Sequence, residues 1–171
     1  DTPQTVTVGG ADDAITDGNQ TSSIRISVDA AGSDDAFDNA LDQTVLVVTT
    51  DDETDAITVN PIAGLITTEG GGLALFDVVL NSAPAANVTV DLDSNDLSEG
   101  TVNINSLTFT PANWFTPQTI NVAGVDDVLV DGNVTYNIVL NPADSTDLVY
   151  DDIDPADVAV LNIDDDAVGF T

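Results

Sequence analysis

Residues Val134 to Leu140 read V-T-Y-N-I-V-L, with Val134, Tyr136, Ile138 and Leu140 on one face of an extended chain and Thr135, Asn137 and Val139 on the other. Successive side chains of a strand point to opposite sides, so this period of two predicts a strand with one face in a core. The same alternation, rich in Thr, Val and Ile and bounded by Gly, Pro, Asn and Asp, predicts further strands. They fall near 57–60, 73–80, 87–92, 101–110, 118–123, 134–140 and 157–163, here A to G in order. No stretch has a helical period. Seven short strands at this spacing predict an all-β fold, a seven-stranded antiparallel two-sheet sandwich of immunoglobulin-like type.

The pattern recurs. Asp1 to Ile26 (DTPQTVTVGGADDAITDGNQTSSIRI) matches Phe115 to Leu140 (FTPQTINVAGVDDVLVDGNVTYNIVL) at a constant offset of 114. With one residue dropped the match continues, setting Asp51-Asp52-Glu53 against Asp164-Asp165-Asp166. A unit of this length suits one sandwich domain. Residues 57–166 are therefore expected to be a complete repeat and residues 1–56 the trailing half of another. Residues 167–171 look like the start of the first strand of a following repeat. The chain reads as a window on a tandem array, or as a subunit that shares strands with its neighbours.

Composition narrows the function. Arg25 is the one basic residue against 31 acids, a formal net charge of -30, and there is no His, Cys or Met. With 42% hydrophobic residues the chain builds cores and is not a solvated acidic tail. A folded body so charged repels itself and calls for cations. Nucleic acid and anionic membrane surfaces are excluded as partners, since both need a Lys/Arg footprint. No apolar run is long enough to span a bilayer. Without His, Cys or Lys there is no His-based triad, thiol nucleophile or Schiff base. A glycosidase pair needs one acid with a raised pKa in a cleft, whereas acids clustered in turns at a domain pole are expected to be lowered by solvent and metal. No enzyme is expected.

The acids cluster where an antiparallel sandwich would gather them. The A–B loop carries Glu69, the C–D loop Asp93, Asp96 and Glu99, and the E–F loop Asp126, Asp127 and Asp131. Strand G runs out into Asp164, Asp165 and Asp166. All four segments are expected at one pole. The motif D-D-x-x-x-D-G-N occurs twice, in Asp126-Asp127 with Asp131 and in Asp12-Asp13 with Asp17, each time with an acidic triplet downstream (Asp164–Asp166, and Asp51, Asp52 with Glu53). Calcium takes six to eight hard oxygen ligands in forgiving geometry, whereas zinc and copper want His or Cys. The expected ion is Ca2+. Scattered acids such as Asp77, Asp91 and Asp144 read as turn or surface residues.

The complete unit resembles the Calx-beta domain in the divergent form repeated in large bacterial surface and secreted proteins. The carriers are G-L-I-T-T-E-G-G at 64–71, S-L-T-F-T-P-A-N-W at 106–114, T-P-Q-T at 116–119, G-V-D-D at 124–127 and the closing triplet at 164–166. The resemblance implies a sandwich that binds calcium at the pole next to its neighbour. Glu69, Asp126, Asp127 and Asp164–Asp166 stand at its ligand positions, and Asp12, Asp13, Asp51, Asp52 and Glu53 match them in the half copy. It departs in having only Asp131-Gly132-Asn133 where animal members carry a Glu-rich segment, which implies fewer or weaker ions.

A non-catalytic structural repeat of an extracellular or cell-surface protein is thus expected. Calcium at the poles between domains would stiffen it as a spacer or fibre-forming element in adhesion or matrix. Its partners would be neighbouring repeats or identical subunits, with cell-surface or matrix ligands. The alternatives are a self-assembling filament subunit that polymerises by strand complementation, and a glycan-binding adhesin module, which no aromatic cluster supports. Trp114 is expected to plug the core and Arg25 to form an ion pair; of the N-x-T sequons at Asn19, Asn87 and Asn133, those at Asn19 and Asn133 belong to the acidic turn motif.

Overall fold

A computed structural model describes residues 2–169. The chain divides into two compact units, Asp1–Glu53 and Thr54–Thr171. Among the described residues there is no helix long and apolar enough to cross a membrane.

In the first unit, β1 (Gln20–Ile26) and β2 (Gln43–Thr49) pair antiparallel, with Ser22 opposite Val47 and Ile24 opposite Val45. None of its described residues is buried. Arg25 Nε donates to Asp42 Oδ2 at 2.7 Å across the exposed side of this hairpin, the expected ion pair.

The second unit is a two-sheet sandwich. Its strands are β3 (Ile57–Asn60), β4 (Leu65–Thr68), β5 (Leu73–Leu80), β6 (Val88–Ser94), β7 (Gly100–Val102), β8 (Ser106–Phe109), β9 (Gln118–Gly124), β10 (Val134–Leu140), β11 (Asp144–Ser145) and β12 (Val158–Ile163). One sheet runs β3-β5-β9-β7; the other runs β11-β6-β10-β12-β4, with β8 beside β6. The period of two fixes which side chains face inward. Ala74, Phe76, Val78 and Leu80 of β5 meet Tyr136, Ile138 and Leu140 of β10 in one core, which also takes Ile120, Val122, Val158 and Val160. Trp114 packs against that core and meets Phe115 edge-on.

Three expectations are corrected. The unit has ten strands, not seven. The predicted strand over 101–110 breaks at residues 103–105, so that β7 joins β9 while β8 joins β6 in the other sheet. Asparagines make the corner: Asn103 Oδ1 accepts from the Asn121 amide, and Asn105 Nδ2 donates to Asp93. Strands commonly change sheets at such bends. Third, β4 was not foreseen and pairs parallel to β12, so the sandwich is not wholly antiparallel. Pro61, which has no amide to donate, and Gly64 at φ +80° turn the chain from β3 into the other sheet. Residues 167–169 form no strand, and the rest of the expected following strand, residues 170–171, lies outside the described residues.

Candidate metal centre

The parallel pairing of β4 with β12 lays two chain exits side by side. The Glu69 amide donates to the Ile163 carbonyl at 3.1 Å, just where β12 opens into Asp164. The amides of Gly71 and Gly72 then close back on the Thr68 carbonyl, so the chain reverses within three glycines and leaves Glu69 at the rim. Gly124 ends β9 against the same turn. A Cβ there would collide with the Thr68 carbonyl and come 2.6 Å from Asn162 Oδ1, so only glycine lets β9 approach and set Asp126 beside Glu69.

The triplet after β12 is held by a small hydrogen-bond frame. Asp164 Oδ2 accepts from the Gly132 amide at 2.7 Å and its Oδ1 from the Asp166 amide at 2.8 Å, while its own amide donates to Asn133 Oδ1 at 3.2 Å. The D-G-N part of the motif therefore pins the triplet in place. Gly132 takes φ +79°, a conformation natural to glycine.

Two acid trios result, Glu69–Asp126–Asp165 and Glu69–Asp164–Asp166, each offering carboxylate oxygens within 4.8 Å of one another. Glu69 belongs to both and is only 3% exposed. Its Oε2 and Asp166 Oδ2 are buried without a hydrogen-bond partner. Buried polar atoms are normally satisfied, so two orphaned carboxylate oxygens facing other acids mark a place for an added cation. Burial, with Asp164, Asp127 and Asp131 nearby, pushes the Glu69 carboxyl above its ordinary range. Burial and the neighbouring Asp164, Asp165, Asp126 and Asp127 do the same to Asp166, so these two acids are raised, not lowered as the sequence led us to expect, because the pole screens them from water. Each group therefore holds its charge at a cost that a divalent ion would remove. All the donors are oxygens, which suits a hard cation.

Below this rim lies a buried polar layer. Thr67 Oγ1 donates to Asn162 Oδ1 at 3.0 Å, and Asn162 Nδ2 donates to Glu99 Oε2 at 3.2 Å. The Glu99 carbonyl accepts from the Val125 amide, next to Asp126. Of the C–D acids, Glu99 thus comes to the pole, buried, whereas Asp93 and Asp96 are taken up by Asn105 and Ser98. Gly100 lets the chain pass there, since a Cβ at that position would strike the Tyr136 ring.

In the first unit Asp12, Asp52 and Glu53, the repeat counterparts of Asp126, Asp165 and Asp166, form a trio beside a half-open cavity of about 350 Å³. The Gly18 amide donates to Asp51 Oδ2 and holds that carboxyl below its usual range; the hydrogen bond with Asp51 raises Glu53. The other acids of the motif fall outside the trios. Asp127 and Asp13 cap their own turns through the amides of Leu129 and Ile15, and Asp131 and Asp17 stand exposed.

No protein-family model and no curated sequence matches the chain. Among solved structures it is similar to the calcium binding domain CBD12 of CALX1.1, at 18% identity and TM-score 0.50, over 67% of this chain and 46% of that one. The chain therefore spans less than half of that structure. It is also similar to the periplasmic chaperone SfaE, at 10% identity and TM-score 0.50, over 67% of this chain and 61% of that one. The apo-form Calx CBD1 domain matches at 16% identity and TM-score 0.49, over 64% of this chain and 96% of that one. At these identities the likeness is one of fold alone, an all-β two-sheet sandwich.

Proposed function

We propose that this chain is a non-catalytic, calcium-binding structural module that serves as a stiff repeat of an extracellular or cell-surface protein. The observation that carries the proposal is Glu69: a carboxylate 3% exposed, shared by two acid trios, with one oxygen lacking any donor. The calcium binding domain CBD12 of CALX1.1 shares this fold, which supports the choice of ion. Glu69 would hold the ion from the β4–β5 turn, Asp126 from the end of β9, and Asp164, Asp165 and Asp166 from the end of β12. When bound, calcium supplies positive charge at the place where three chain segments leave the sandwich. That ties them together and stiffens the pole.

The test is calorimetric titration of the chelator-treated chain with Ca2+ and, separately, Mg2+. Saturable Ca2+ binding is expected, weakened by Asp165→Asn, with Mg2+ much weaker because it resists giving up its water. Equal, non-saturating heats for both ions would leave only a diffuse acidic surface. A sandwich whose scattering profile and thermal stability ignore chelator would end the structural role.

A further inference from the structure

The first unit repeats the trailing half of the second in detail. Ser22 faces Val47 as Tyr136 faces Val160, and Ile24 faces Val45 as Ile138 faces Val158. Gly18 bonds Asp51 as Gly132 bonds Asp164; the Asp51 amide reaches Asn19 Oδ1 as the Asp164 amide reaches Asn133 Oδ1. The turn after β1, with the Phe37 amide on the Asp34 carbonyl, copies the Tyr150 amide on the Asp147 carbonyl.

Burial differs completely between the copies. Phe37 is 62% exposed where Tyr150 is 0%, Val6 74% where Ile120 is 0%, and Val45 49% where Val158 is 0%. Val8 and Ile26 are likewise exposed where Val122 and Leu140 are buried. The second unit shows what covers this face. Residues 54–114 supply β3 to β8, and with them Phe76, Val78, Val90, Leu92, Leu107 and Phe109 of the core. They also supply Glu69. The described residues of the first unit include no counterpart of that carboxylate, and their cavity opens beside Asp12, Asp52 and Glu53.

We propose that the apolar face of the first unit is a docking surface for a leading half-repeat, a polypeptide with the strand pattern of residues 54–114 that completes the sandwich and brings a glutamate into the cavity. A second copy of the chain does not fit, because its own leading half is already covered by β9 to β12. The glutamate part rests on the calcium site proposed above; the docking does not.

The test extends the full chain by a second copy of residues 54–114 placed ahead of Asp1, with amide hydrogen exchange followed in chelator. Amides 21–25 and 44–48 are expected to slow at least a hundredfold, toward the rates of 135–138 and 158–161, and Ile24→Asp in the extended chain should reverse this without changing the second unit. Unchanged exchange at 21–25 and 44–48 would overturn the proposal. So would the same protection arising in the parent chain with rising concentration, which would make a second copy the occupant. Glu69→Gln in the added half separates the two parts: protection should persist while calcium binding by the first unit falls. Protection with no calcium effect in any version would sink the metal site and leave the docking intact.

Discussion

Glu69 offers the sharpest perturbation, because one residue serves both acid trios. Glu69→Gln keeps the shape and one acceptor oxygen but removes the charge from a group that is 3% exposed and faces Asp126, Asp165, Asp164 and Asp166. Two effects of opposite sign follow. In chelator, the variant should be at least as stable as the parent, since a buried carboxylate with a raised pKa and an orphaned oxygen costs stability while charged. In calcium the order should reverse. An ion at one hundred times its dissociation constant stabilises the folded state by about 2.7 kcal/mol. In a domain of this size, each kcal/mol moves Tm by roughly 4 °C, so the parent should gain about 10 °C. The variant should gain a small fraction of that. Asp126→Asn, which touches one trio, should lose only part. Differential scanning calorimetry of the three proteins, each with chelator and with calcium, checks the pattern. A Glu69→Gln protein that keeps the full calcium shift, or one clearly destabilised in chelator, would refute the assignment.

Gly124→Ala should cost about 1–3 kcal/mol by overpacking, because its methyl group meets backbone at Thr68 and the Asn162 side chain, with no flexible atom to yield. It should also weaken calcium binding by separating Asp126 from Glu69, and urea unfolding with a calcium titration reads both effects. Tyr150→Phe should cost about 1–3 kcal/mol, seen as a lower urea midpoint at unchanged slope: the buried hydroxyl donates to the Ser82 carbonyl at 2.8 Å and accepts from the Ser82 amide at 3.0 Å, and both would lose their partner. Stability in chelator should rise as pH falls from 7 through the raised range of Glu69 and Asp166, since the folded state there binds more protons than the unfolded. Calcium affinity should fall over the same window, and Glu69→Gln should flatten the stability profile in part; an unchanged profile would place the titrating groups elsewhere.

Much of this was legible in the sequence for physical reasons. Alternation over Val134–Leu140 gave the buried face of β10, because a half-buried strand has no other way to sort its side chains. The recurring D-D-x-x-x-D-G-N with its acidic triplet named the segments that converge at the acidic pole. Alternation said nothing about β4, a four-residue edge strand whose pairing is set by β12, remote in sequence. Nor did it show that 101–110 bends, since Thr101, Val102, Leu107 and Phe109 keep a strand-like composition on either side of the corner. Within the motif, the sequence could not separate acids aimed at an ion from acids capping a turn. Asp127 and Asp126 are adjacent and chemically alike, yet one binds the Leu129 amide and the other joins the trio. The distinction depends on which carboxylates face one another across the pole, and that is set by β9 reaching Thr68 through Gly124.

Net charge alone does not make a site, and the second unit shows why. Its sequence contains no Lys, Arg or His, so every carboxylate in it must be satisfied by amides, hydroxyls, water or an ion from outside. Most acids find local donors: Asp77 takes Thr119 Oγ1, Asp147 takes the Ala85 amide, and Asp157 takes the Leu140 amide. These groups need no metal, and their substitution should leave calcium binding alone. Glu69 and Asp166 differ because they are screened from water and each keeps an oxygen that no protein group reaches. One lysine would relieve them, and the sequence supplies none. An acid pole built this way would be relieved by a cation from its surroundings, and under the proposed function its stiffness would then depend on calcium.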